Sequence, residues 1–464
     1  MSLIRKTARE VRTMLAEGDV TTADLLDVLE ARVTEVDGPI NALPTLCFDR
    51  ARGGAVDKDS VLGGIPVAIK DLSAVEGVRT TYGSPIFKDN VPEASDHIVS
   101  RIEENGGIVY AKSNTPEFGA GASTFNEVFG RTYNPWNLSR SVAGSSGGSA
   151  AALVSGQAWL AHGSDMGGSL RNPASFCGCV GLRPSAARVP SGPSANEFDV
   201  LGQQGPMARN VGDLGMFLDA MAGAHAAEPY GQPEDAFRKA AEAPAVPQRV
   251  AWSADFNGLT PVDPEVRAIT ESAAKRFEAL GATVDEACPD YSAAHDAFQV
   301  LRAISFATGH DDDYRNHKDL LKPDVVWNIE KAFDITGADV VRANLIRNRM
   351  TQSHAAFFQT YDLLLSPATI VPPFAAEDRT VTACDGVEFE TYIDWLAIAY
   401  AVTLTSAPAL SLPCGFTGDG LPVGLQMVGP LHGEAPLLSY AAALEADLGL
   451  DLGPIDPREG PIPK

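Results

Sequence analysis

The sequence predicts a single α/β domain, with a central mixed β-sheet covered by α-helices on both faces. Three observations lead there. Short apolar runs of strand length alternate with longer amphipathic runs, the order that lays helices over a parallel or mixed sheet. The 464 residues are 45% hydrophobic and 21% charged, enough apolar side chain for one large core. No internal repeat interrupts the alternation.

The elements follow in chain order. Residues 1–52 predict two helices. Ala8, Val11, Met14 and Leu15 make one stripe, which Gly18 stops. Thr21 or Thr22 caps the second, with Asp24 in its first turn and Leu25, Leu26, Leu29 and Val33 on one face. In the run 63–71, GGIPVAIKD, residues Val67, Ala68 and Ile69 form a short buried strand ending on Lys70. A lysine there usually snorkels to water, although Asp71 next to it also allows a buried pair.

A helix over 96–104, a strand over 108–111 and a turn over 114–118 come next. Residues 141–172 hold two Gly/Ser knots, AGSSGGSAA and GSDMGGSLR, around a short helix at 150–154 and a strand at 159–161. Glycines this dense mark a flexible linker or a close backbone approach, and a linker would stay polar throughout. Both knots therefore read as ligand-facing loops. A strand over 180–184 ends at Pro184, and 202–222 hold a helix capped by Asn210. Residues 225–248 lack periodicity and read as a long surface connection.

Beyond it, 250–252 form a strand. Asp263 and Pro264 open a helix with Val266, Ile269, Ala273, Phe277 and Leu280 on its stripe, and 282–284 form a strand after Gly281. Residues 291–358 are mostly helical and charged, with the polar run 310–317 between helices, and read as a substrate-covering segment. A buried strand at 361–367, an apolar helix at 395–405, strands at 409–413 and 423–428, and a helix at 437–448 complete the chain.

Composition excludes some functions. A net charge of −24 argues against a nucleic-acid partner, which needs a basic patch. No run approaches the length of a membrane span. The N-terminal MSLIRKTAREVRTML lacks a secretory core, which predicts a cytoplasmic protein. The six cysteines are scattered, and Cys177-Gly178-Cys179 has the wrong spacing for zinc. The eight histidines show no metal spacing, so no metal is expected.

The second knot carries the chemistry. Backbone N–H groups of Met166, Gly167, Gly168 and Ser169 can curl around one point as an oxyanion hole beside the Ser169 hydroxyl. Serine needs a base, and no histidine suits by pattern; His162 reads as a satisfied core residue. A lysine base must be buried to shed its proton near neutral pH, a condition Lys70 meets better than most lysines here. Spacing alone does not bring Lys70 to Ser169.

Several motifs carry a family resemblance: 63–71, AGSSGGS at 143–149, GSDMGGSLR at 163–171, FCG at 176–178, VGLRP at 180–184 and GLPVGLQ at 420–426. Across nearly the whole chain they resemble the amidase signature family of serine hydrolases. The resemblance implies that Lys70 is the catalytic lysine, Ser145 the bridging serine on a cis peptide bond, and Ser169 the nucleophile. It implies an oxyanion hole from Met166, Gly167 and Gly168, and loop-holding roles for Asp165 and Arg171. Phe118, Gly119, Ser145 and Met166 would contact substrate. The whole of 1–464 would be one amidase domain, with 63–222 as its signature core. Ala143 stands where many members have glycine and Arg183 where many have lysine; neither is a catalytic position.

The expected reaction is hydrolysis of a small-molecule amide through a Ser169 acyl-enzyme with a Ser145/Lys70 relay and no cofactor. Homodimers are common in the family. Aryl, aliphatic, cyclic and carbamoyl amides all stay open. Three rival readings are weaker. Ser146 centres a G-x-S-x-G elbow, but 137–141 is not the apolar strand an elbow needs. The glutamine-hydrolysing A subunit of a tRNA-dependent amidotransferase shares these motifs, although the wording of 180–207 favours stand-alone amidases. A non-catalytic binding protein would have no use for an intact Lys70, Ser145 and Ser169.

Overall fold

The computed structural model describes residues 3–459; residues 1–2 and 460–464 of the expected domain lie outside the described residues. Eleven strands form one mixed sheet in the order Thr45–Leu46, Ile108–Ser113, Pro66–Lys70, Leu160–Asp165, Gln203–Ala208, Val180–Arg183, Ala409–Phe416, Pro422–Val428, Leu363–Pro367, Arg249–Trp252, Thr283–Glu286. Pro66–Lys70 runs parallel to both neighbours, Ile108–Ser113 and Leu160–Asp165. The middle of the sheet is antiparallel, and the far edge returns to parallel pairing. Helices flank the sheet, and the α/β fold is the one expected.

Local signals act as read. Thr21 Oγ1 accepts from Asp24 N at 3.2 Å, so Thr21 rather than Thr22 is the cap. Asn210 caps its helix through Asp213 N at 2.8 Å, and Asp263 caps through Glu265 N at 2.9 Å. Pro66–Lys70, buried at every position, pairs on both sides, which accounts for its continuous apolar run.

The sequence reading needs correction at four places. Residues 202–222 contain a strand, Gln203–Ala208, before the expected helix; its QQGPMA carries no alternation because antiparallel partners flank it on both sides. The edge strand Thr45–Leu46 and the helix Phe48–Arg52 also lie within the supposed two-helix segment. The connection 225–248 includes a short helix, Phe237–Ala241, anchored by buried Phe237. The run 310–317 is not a break. The helix Ala294–His317 continues through it after a kink at His310, and a pair such as Arg315–Asp311 at 2.7 Å supports its exposed end.

Among the described residues, no helix is long and apolar enough to cross a membrane.

Candidate active site

Parallel strands point their carboxyl ends the same way, and open α/β sheets place ligands there. Lys70 ends one such strand, and Ser164 and Asp165 end its neighbour. The loop before the helix Gly147–Val154 brings Ser145 and Ser146 to the same place. The loop before the helix Arg171–Cys177 brings residues 166–169. A backbone bond from Ser146 N to Ser169 O at 3.2 Å ties the two Gly/Ser loops together.

Lys70 is fully buried. Its Nζ lies 2.7 Å from Ser145 Oγ, 2.9 Å from Ser146 Oγ and 3.0 Å from Ser164 Oγ. Burial penalises its ammonium form and pushes its pKa down to about 7, against a smaller upward pull from Asp165. The Gly144–Ser145 peptide is cis. Among the described residues the Ser169 side chain makes no hydrogen bond, so Lys70 and Ser145 are joined while the Ser145–Ser169 link is open. Such bonds often tighten only with substrate present.

Asp71 does not pair with Lys70. Alternate residues of a strand face opposite ways, and Asp71 instead lies 3.5 Å from the buried Lys112 of the adjacent strand. Lys112 itself donates to Thr80 Oγ1 at 2.9 Å and to the Ser73 carbonyl.

Asp165 organises the loop 166–170. Arg171 meets it with two bonds of 2.9 Å, and Gly168 N and Leu170 N donate to it at 2.8 and 3.1 Å. Burial opposes its ionisation, yet the Arg171 and Arg183 guanidiniums and the backbone donors hold its carboxyl well below the usual range. Arg171 reaches on to Gln426 Oε1 at 2.6 Å and the Ala399 carbonyl at 2.9 Å. Gln426 closes the GLPVGLQ motif, so that motif acts at the site by holding Arg171.

This network divides the expected oxyanion set. The Gly168 N–H is committed to Asp165, whereas the N–H groups of Met166, Gly167 and Ser169 have no partner among the described residues. Gly168 therefore shapes the loop. Its φ is +105°, and a Cβ there would meet Asn172 Oδ1 at 2.6 Å and Ala399 Cβ at 2.7 Å.

One cavity of about 520 Å³ touches Phe118, Gly119, Ser145, Met166, Gly167 and Ser169. Lys70 and Ser146 lie behind its wall, and Ser146 is fully buried. Residues 137–141 do form a strand, but one paired with Tyr133–Asn134 in a separate two-stranded ribbon. The far wall comes from the helix Ala294–His317 through Phe298, Arg302, Ser305, Phe306, Gly309 and His310. Their spacing puts them on one helix face. The His310 ring packs 4.1 Å from Phe118, centroid to centroid. His162 is buried as expected but satisfied at one nitrogen only: Nε2 lies 2.9 Å from Gln204 Oε1, and Nδ1 has no hydrogen-bond partner among the described residues.

Sequence reasoning missed Ser164, Lys112 and the aromatic wall. Lys112 follows an apolar strand just as Lys70 does, a signal that was present. Histidine spacing also gave no sign of the group His97, His225 and Glu228. Its two rings stack at 3.6 Å with 23° between planes, so their in-plane lone pairs run side by side instead of meeting at an ion. Glu228 Oε1 already accepts from Ser191 N at 2.8 Å and Gly192 N at 2.9 Å, which makes the group a loop clamp.

Comparison with known proteins adds to this geometry. A family model described as Amidase matches residues 24–438. An acylamidase of Rhodococcus erythropolis is 34% identical over 455 residues, covering 95% of this chain and 94% of its own. A glutamyl-tRNA(Gln) amidotransferase subunit of Halothermothrix orenii is 31% identical over 484 residues, covering 97% and 98%. The solved structure of a 6-aminohexanoate cyclic dimer hydrolase complexed with substrate superposes with a TM-score of 0.87 at 26% identity, covering 99% of each chain.

Proposed function

The chain belongs to the amidase family, hydrolases of carbon–nitrogen bonds, and on that footing we propose that it cleaves the amide of a small-molecule substrate through a Ser169 acyl-enzyme. One observation carries the reading. A buried lysine, held near neutrality, lies 2.7 Å from a serine hydroxyl that shares a cavity with a second serine.

The cycle runs as a relay. Neutral Lys70 takes the Ser145 proton as Ser145 takes that of Ser169, and Ser169 Oγ attacks the amide carbon. The N–H groups of Gly167 and Ser169, with Met166 beside them, receive the oxyanion; one such donor is worth ~2.7–4 kcal/mol. The proton then returns through Ser145 to the leaving nitrogen as the C–N bond breaks. Water repeats the relay on the acyl ester and frees Ser169. Asp165 and Arg171 act by fixing the loop. Phe118, Gly119 and Met166 contact the acyl portion, and the segment 291–358 selects substrate through its cavity wall.

A panel of anilides, aliphatic amides and esters, with Ser169→Ala as the blank, tests the reading. Ser169-dependent release of amine supports it, and absence of turnover by folded protein across the panel sinks it. A second reading, the glutamine-hydrolysing subunit of a tRNA-dependent amidotransferase, is favoured by the 31% identity to such subunits. Strict glutamine dependence and co-purification with a kinase-like partner subunit would select it.

A further inference from the structure

The cavity wall holds a cation without a counter-ion. Arg302 is 6% exposed, and its guanidinium lies over the rings of Phe306 at 4.5 Å and Tyr392 at 5.4 Å. One terminal nitrogen donates to Asn328 Oδ1 and the other to Tyr392 OH at 2.7 Å. Both partners are neutral. Among the described residues no carboxylate lies within 4.0 Å of it, and its Nε–H has no protein acceptor.

The other arginines buried to this degree differ, whereas the less buried Arg209 is met by the Ala158 and Lys6 carbonyls at 2.9 and 2.6 Å instead of by a carboxylate. Arg171 and Arg183 share Asp165, at 2.9 and 3.9 Å. Arg188 lies 3.4 Å from Glu434, and Arg32 pairs with Glu35 and Asp456. The buried Lys112 and Lys322 have Asp71 and Asp324. Asp324, one turn before Asn328, and Asp394, two residues after Tyr392, are already engaged: Asp324 with Lys322 at 2.8 Å, and Asp394 with Thr391 and the Glu390 N–H.

Burying an uncompensated charge is costly, and a guanidinium, unlike the Lys70 amine, cannot escape by losing its proton. In a chain of net charge −24, acidic side chains were plentiful, yet none closes this site. Among the described residues, Arg302 is also the only arginine lining the cavity that contains Ser145 and Ser169. We propose that Arg302 is a specificity-determining residue whose missing counter-ion is a carboxylate on the substrate, remote from the scissile amide. The planar fork suits a carboxylate, and the Nε–H and the second N–H of each terminal nitrogen are left for one. The surrounding Phe298, Phe306 and Phe118 would hold the apolar spacer between that carboxylate and the amide. This inference rests on the amidase reading of the same cavity.

The carboxylate can sit on the acyl arm or the amine arm, and two matched pairs separate these. Adipoyl mono-4-nitroanilide against heptanoyl 4-nitroanilide tests the acyl arm. N-acetyl-4-aminobenzoate against N-acetyl-4-methylaniline tests the amine arm. The wild-type protein should favour the carboxylate member of one pair by at least ~10-fold in kcat/KM, the scale of a charge-assisted bond. Arg302→Met should collapse that ratio toward one, and Arg302→Lys should keep part of it. Equal loss on both members, which leaves the ratio unchanged, or a wild-type preference for the neutral member in both pairs, overturns the proposal. The wild-type ratio decides even where Arg302→Met fails to fold. Calorimetric binding of the same compounds to Ser169→Ala separates this inference from the reading beneath it. Tight carboxylate binding without turnover by the wild type would indict the amidase reading alone. Turnover without carboxylate preference would indict Arg302 alone.

Discussion

Acidification should switch the enzyme off through Lys70. Burial moves this amine from the ordinary 10.5 to about 7, a difference of about 3.5 units. At 1.36 kcal/mol per unit, the folded protein disfavours the ammonium by ~5 kcal/mol. At pH 7 an ordinary lysine is neutral in roughly one molecule in 3,000, whereas Lys70 is neutral in about half. Only the neutral form can accept the Ser145 proton. kcat/KM for an amide with no titrating group of its own should therefore rise with pH, bend near 7, and fall about tenfold per unit below it. At pH 5 it should stand near ~1% of its plateau. The assay is initial-rate hydrolysis at constant ionic strength from pH 5 to 9, with circular dichroism confirming the fold throughout. Lys70→Ala should lose ~10²–10⁴ at neutral pH and regain part of it as hydroxide rises. A flat profile from pH 5 to 8, or the same bend in Lys70→Ala, would refute the assignment of Lys70 as the base.

The same shift predicts a stability effect. Because the folded pKa lies below the unfolded one, the unfolded chain binds the extra proton between about pH 7 and 10.5, and stability rises with pH across that window. Lys70→Met should gain most in Tm over the wild type below pH 7 and lose that advantage toward pH 10; a gap independent of pH contradicts this. Gly168→Ala pushes a Cβ to 2.6 Å from Asn172 Oδ1 and displaces the flanking N–H groups, so kcat should drop ~10²–10³ with KM little changed. A kcat within threefold of wild type would show that the loop tolerates the methyl. Arg171→Gln leaves the Asp165 carboxylate with Arg183 at 3.9 Å as its nearest cation, and denaturant unfolding should record a loss of ~3–5 kcal/mol. A loss under ~1 kcal/mol would mean that the pair does not hold the loop.

Much of this site was legible because its parts are local. Lys70 at the end of a fully buried strand and the two Gly/Ser knots each carry a short-range signature, and the family motifs fix their order. What escaped depends on pairing between distant segments. The strand Gln203–Ala208 is set by neighbours on both sides and has no periodicity of its own. The pairing of Asp71 with Lys112 rather than Lys70 follows from strand alternation and parallel register. The commitment of the Gly168 N–H to Asp165 separates two adjacent glycines that look equivalent in the sequence. Arg302 and the aromatic wall lie on a helix whose cavity-facing side is known only once the helix is placed.

Mass spectrometry of protein quenched during turnover of an activated ester or anilide, followed by peptide mapping, identifies the acylated serine directly. Turnover should leave an acyl adduct on Ser169 that is absent in Ser169→Ala. An adduct on Ser146, which hydrogen-bonds Lys70 at 2.9 Å behind the cavity wall, would contradict it, as would steady turnover unaffected by loss of the Ser169 hydroxyl.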